Sequence, residues 1–136
     1  MRITASVCNS GRDHRVTVTS GDVSQDLTIG AKDAGRGSGV NGGEFLMLAL
    51  ATCFCNDIYR EAARLGIAVD GVDVEAEADF AGVGLAARNI RYRARVASPA
   101  PRADVEELLR QTDAVAEVQN TVRSGAVVSR LPWETA

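Results

Sequence analysis

At 136 residues the chain is sized for one domain spanning 1–136, because single cores run to about 100–150 residues before they split. A hydrophobic fraction of 46% and a charged fraction of 24% exclude a disordered chain. A net charge of −3, with Arg residues scattered among Asp and Glu, argues against a nucleic-acid surface.

No charged-then-apolar leader opens the chain, and its longest apolar run, Phe45 to Cys55, falls short of the about 18 residues a membrane span needs. A cytoplasmic protein without membrane contact is expected.

In chain order, Arg2–Val7 and Arg15–Thr19 alternate apolar and polar residues around a turn at Asn9 to Asp13, which predicts two paired strands. Ser24–Ile29 follows the turn at Ser20-Gly21-Asp22 as a third. Gly30 to Gly43 is a glycine-rich loop. Its Gly35-x-Gly37 lacks the following helix that a phosphate loop requires. Glu44 to about Leu65 is the strongest helix, with Gly66 as its stop. Its first half, Phe45 to Cys55, is apolar around nearly the whole circumference, which calls for burial on all sides and favours a partner subunit. Its second half regains polar residues at Asn56, Asp57, Arg60, Glu61 and Arg64; Asn56, Asp57 and Arg60 share the Cys53 face at i+3, i+4 and i+7, where a polar pocket could continue, and the half as a whole is read as solvated.

Val69, Val72, Val74, Ala76 and Ala78 mark a strand, and Ile90, Tyr92, Ala94 and Val96 mark its hairpin partner around Gly82 and Gly84. After the Pro99–Pro101 break, a helix runs from about Arg102 to Ala114 and a shorter one from Ala116 to Val122. Ala126 to Leu131 closes as a strand. The order β-β-β-α-β-β-α-α-β is an α+β fold. Tyr59, Tyr92 and Trp133 form no periodic platform and are read as packing residues.

Three Cys, at 8, 53 and 55, are an odd number in a reducing compartment, so thiol chemistry rather than a disulfide framework is expected. Cys53-x-Cys55 lacks the two-residue gap of a metal knuckle, and His14 is far away in sequence; neither metal nor cofactor is expected. Residues two apart on a helix diverge by about 200°, which keeps Cys53 and Cys55 from bridging. Cys8, on a separate strand, remains conceivable as a partner for Cys53, but Cys8 and Cys55 are read as small buried hydrophobes.

Gly35 to Cys53, GRGSGVNGGEFLMLALATC, resembles the pattern of the OsmC and organic hydroperoxide resistance superfamily: a glycine loop, an Asn-Pro-x-Glu-Leu entry and an Ala-rich helix reaching Ala-x-Cys. Asn41, Glu44, Leu46, Ala49, Leu50, Ala51 and Cys53 fall where that pattern wants them, with Gly42 in place of Pro. The resemblance implies a long central helix packed on antiparallel sheets in an intertwined homodimer. It also implies Cys53 as the thiol that attacks a peroxide. The second Cys of the family's thiol peroxidases opens a stretch similar to Ala116-Glu117-Val118-Gln119-Asn120-Thr121-Val122, so Ala116 stands where that Cys belongs.

Cys53 lies some nine residues into its helix, beyond reach of that helix's own N-terminal dipole, and so needs a cation. The resemblance implies an Arg from the N-terminal strand region, for which Arg12 is the first choice and Arg15 the second, braced by a Glu at the helix start. Glu44 is the candidate Glu. Nine residues place it on the opposite face from Cys53 and about 13 Å along the axis, which also suits a role at the helix N-terminus. Two functions follow. One is a one-cysteine thiol peroxidase for organic or hydrogen peroxide, returned by an external thiol reductant. The other is a non-catalytic dimeric protein that binds an apolar small molecule and keeps only the fold.

Overall fold

The structure, a computed structural model, describes residues 1–133. The chain divides into two compact units, Met1–Phe45 and Leu46–Ala136.

In the first unit, β1 (Ile3–Ser10), β2 (Asp13–Ser20) and β3 (Val23–Leu27) form an antiparallel meander in that order. Pairing of Ser10 with Asp13 and of Ser20 with Val23 leaves two-residue loops, Gly11-Arg12 and Gly21-Asp22. Gly11 and Gly21 have φ of 61° and 58°, the conformation glycine supplies at the first position of such hairpin loops. Ile3 and Val7 on β1 are exposed. In the following loop, Gly39 donates its N–H to the Gly30 carbonyl at 2.8 Å. A Cβ at Gly39 would approach that oxygen to 3.0 Å, so the turn requires glycine there.

Helix α1 (Gly42–Leu65) begins at a reciprocal cap. Asn41 N–H donates to Glu44 Oε2 at 2.7 Å, and Glu44 N–H donates to Asn41 Oδ1 at 2.9 Å. Each side chain satisfies a backbone donor the helix leaves open. Asn41→Ala should lower unfolding free energy by about 1 kcal/mol, read as a shifted denaturant midpoint at unchanged slope.

The core of the second unit gathers Phe54, Ile58 and Ala62 of α1 with Leu108 and Ala116. Strands β4 (Gly71–Asp79) and β5 (Arg88–Ala97) pair as a hairpin. One face sends Val72, Val74, Tyr92, Ala94 and Val96 against that cluster. The opposite face carries the ion pairs Glu75–Arg93 and Glu77–Arg91. Two-residue alternation produces this division directly. The rings of Phe54 and Tyr92 meet edge to face at 4.7 Å, and the Tyr92 hydroxyl donates to Asp113. Helices α2 (Arg102–Val115) and α3 (Glu117–Ser124) complete the unit. Among the described residues no helix is long and apolar enough to cross a membrane.

Three expectations are corrected. Ala126–Leu131 is not a strand: no partner ladder reaches it among the described residues, and Val127 and Val128 are 93% exposed. In the first half of α1, Leu50 and Phe54 are covered within one chain and Leu48 is exposed. The second half, expected to be solvated, instead buries Asp57, Ile58, Glu61 and Ala62. Finally, Tyr59 and Trp133 are exposed rather than packed.

Candidate functional site

Ala116 makes the site possible. It is both the C-cap of α2 and the N-cap of α3, in an extended conformation with φ −71° and ψ 105°. One extended residue between two helices turns the chain sharply and leaves the first N–H groups of α3 without intrahelical acceptors. The Val118 N–H faces the Cys53 sulfur and favours its thiolate. Gln119, 2% exposed, donates from Nε2 to the Leu50 carbonyl at 2.8 Å, which ties α3 to α1 one turn before Cys53. The dipole that reaches the thiol therefore belongs to α3, a neighbour the sequence reading left out by considering only the helix that carries Cys53.

Carboxylates oppose that effect. Asp57 follows Cys53 by four residues on the same helix face, is 4% exposed, and places Oδ2 at 3.7 Å from the Cys53 sulfur, within range of a thiol donor. Its other oxygen accepts from Arg60 Nη1 at 2.8 Å, and the same Nη1 lies 4.0 Å from Glu117. Burial raises the Cys53 pKa most, the Val118 N–H lowers it, and the charges of Asp57 and Glu117 raise it again. The net direction is upward, so Cys53 rests as a protonated thiol. Its alkylation by iodoacetamide, followed on the Cys53 peptide, should accelerate tenfold per pH unit to a midpoint above an ordinary thiol's ~8.5. Further along the helix, Arg64 first and Arg60 second hold Glu61 below the usual carboxylate range.

The residues named from sequence fall in different places. Arg12 occupies the β1–β2 loop, Arg15 stands opposite Cys8 in the β1–β2 register, and Glu44 closes the α1 cap. All three belong to Met1–Phe45, and Cys53 belongs to Leu46–Ala136. Within its own unit Cys53 meets Asp57, Glu117 and the Val118 N–H. The i+4 spacing of Asp57 and the i+7 spacing of Arg60 on the Cys53 face pointed to a polar pocket below the thiol, and the structure favours that alternative over the preferred solvated reading, because Asp57 is buried beside the sulfur. Ala116 is fully buried in the core against which Cys53 packs. Against the reading of Cys8 and Cys55 as buried, Cys8 is exposed on an edge of the meander and Cys55 is half-buried, and all three cysteines are free thiols.

The Cys53 sulfur and carboxylate oxygens of Asp57 and Glu117 lie within 4.8 Å of one another. The cation already facing both carboxylates is the Arg60 guanidinium. In this unit the arrangement supports thiol chemistry: a sulfur that meets both a helix terminus and a proton acceptor.

The sequence pattern described as OsmC-like protein matches residues 35–130. No curated protein matches the chain. Among solved structures, the chain is similar to an OsmC-like protein from Mycoplasma pneumoniae at 19% identity, over 90% of this chain and 86% of that one, with a TM-score of 0.61. It is similar to an organic hydroperoxide resistance protein OsmC from Legionella pneumophila at 21% identity, over 88% and 89%, with a TM-score of 0.57. A third likeness is to an organic hydroperoxide resistance protein from Elizabethkingia anophelis at 16% identity, over 88% of each chain, with a TM-score of 0.59. At these identities the likeness carries the fold.

Proposed function

Since the chain belongs to the OsmC-like protein family, we propose that it is a redox and stress protein whose Cys53 reduces a small organic or hydrogen peroxide. The observation that carries this reading is the N-terminal turn of α3 beside the Cys53 sulfur. The sulfur attacks the hydroxyl oxygen of the peroxide, the O–O bond breaks, and Cys53–SH plus ROOH becomes Cys53–SOH plus ROH. With Ala116 in place of a second Cys, an external thiol returns the sulfenic acid to the thiol.

The reading includes a homodimer. Exposed Ile3 and Val7 on β1, Leu48 on α1, and Val127, Val128 and Leu131 beyond α3 leave more apolar surface than scattered single residues account for. Arg12, with Arg15 as second choice, is the proposed cation for the thiolate, and Glu44 its proposed brace. The upward shift of the Cys53 pKa instead favours the second reading, a dimeric small-molecule-binding protein without turnover. One equivalent of peroxide decides between them. The peroxidase should give a Cys53 sulfenic acid, trapped by dimedone and located by peptide mapping, without a Cys53–Cys55 bridge. Oxidation no faster than that of free cysteine would leave the binding reading.

A further inference from the structure

A protonated, half-buried thiol with a raised pKa is a poor nucleophile, yet the peroxide reading requires it to react near neutral pH. The proton must leave as the sulfur attacks. Within the Leu46–Ala136 unit, the acceptor bonded to that thiol is Asp57, at 3.7 Å from the sulfur through Oδ2. Its side chain is held in place, because Oδ1 is fixed by Arg60 at 2.8 Å. Asp57 itself is 4% exposed. The other groups facing this pair are Glu117, which lies 4.0 Å from Arg60, and the Val118 N–H.

We propose that Asp57 is the general base and acid of the Cys53 reaction, with Arg60 as the residue that positions it; this rests on the peroxidase reading above. Oδ2 takes the thiol proton while the sulfur lone pair forms the S–O bond to the peroxide's hydroxyl oxygen. The O–O bond breaks toward the alkoxide, which receives the proton from Asp57 and leaves as ROH. Sulfur is oxidised by two electrons and the peroxide is reduced by two, and Asp57 ends the step as the carboxylate it began as. The Val118 N–H, which also faces the sulfur, stabilises negative charge developing there. The Asp57 charge makes a preformed thiolate harder to obtain, so its presence beside the sulfur helps only a reaction in which deprotonation and attack are coupled.

That sign difference makes the test decisive. Two rates are measured on the Cys53 peptide of the full chain between about pH 6 and about pH 8: oxidation by cumene hydroperoxide or hydrogen peroxide, and alkylation by iodoacetamide. Alkylation releases iodide, which needs no proton, whereas peroxide cleavage does. Asp57→Asn should slow oxidation about a hundredfold at neutral pH while alkylation stays equal or becomes faster. An oxidation rate that equals or exceeds that of the unaltered protein overturns the proposal, since removing a repelling charge alone makes a better thiolate. If Asp57→Asn fails to fold, the unaltered protein suffices. Its oxidation rate should hold level across this range while alkylation climbs, and two rates rising in parallel overturn the proposal. Absence of any enhanced peroxide reaction in the unaltered protein refutes the peroxidase reading itself, and the role of Asp57 with it.

Discussion

Cys53→Ser should abolish peroxide reduction while leaving the protein folded. The half-buried thiol packs against Phe54, Ile58, Ala62, Leu108 and Ala116, and a hydroxyl of nearly the same size keeps that packing and can still donate to Asp57. What it lacks is an oxidisable, polarisable atom. An alcohol beside two carboxylates neither ionises near neutral pH nor forms a sulfenic acid, so the loss is complete rather than graded. Cys55→Ser should leave turnover unchanged, because Cys55 lies on the other side of the uninterrupted α1 helix. Peroxide consumption in the presence of a dithiol reductant, measured for both variants, checks this. Activity that survives Cys53→Ser and disappears with Cys8→Ser would reassign it to the exposed thiol on β1.

Elements that follow from local pattern were legible in the sequence. Alternation in Val72–Ala76 and Ile90–Val96 places each residue on the correct face of the β4–β5 hairpin, because a strand's period of two is a property of its own residues. The extent of α1 follows from its helix formers, its Asn41–Glu44 entry and Gly66, which has the positive φ of 69° that ends such helices. The break between the last two helices was legible as well, and Ala116 stands at the α2–α3 junction.

Nonlocal relations were not legible. Val127, Val128 and Leu131 have strand propensity, but a strand exists only where another edge bonds to it, and among the described residues none does so. The polarity of Asp57 and Glu61 pointed to solvent; their burial follows from what packs over α1, and each is covered as one member of an ion pair with Arg60 or Arg64. The dipole at Cys53 was missed for the same reason. Any scan along α1 finds the thiol too deep in its own helix, whereas the useful terminus comes from a helix more than sixty residues later in the chain.

Ala116→Cys should convert the one-cysteine reaction into a two-cysteine cycle, a gain of function from a single substitution. Ala116 is fully buried in the cluster against which Cys53 packs, and Val118, two residues on, presents its N–H to the Cys53 sulfur. A disulfide requires the two Cα atoms within about 7 Å, which the experiment tests. Adding a sulfur to a filled position costs about 1–3 kcal/mol by overpacking, so the variant should fold with a lowered denaturant midpoint. After peroxide forms the Cys53 sulfenic acid, the introduced thiol attacks that sulfur, closes the disulfide and releases water. The product should appear in non-reducing peptide maps only after peroxide treatment, and a dithiol reductant should sustain turnover. The parent protein, given the same peroxide and no external thiol, should stop at the sulfenic acid and then overoxidise to the sulfinic acid. A variant that folds, forms the sulfenic acid and never bridges would show that the α2–α3 junction holds position 116 away from the sulfur. In that case the family's second-cysteine geometry has been lost together with the residue, and the binding reading becomes the stronger one.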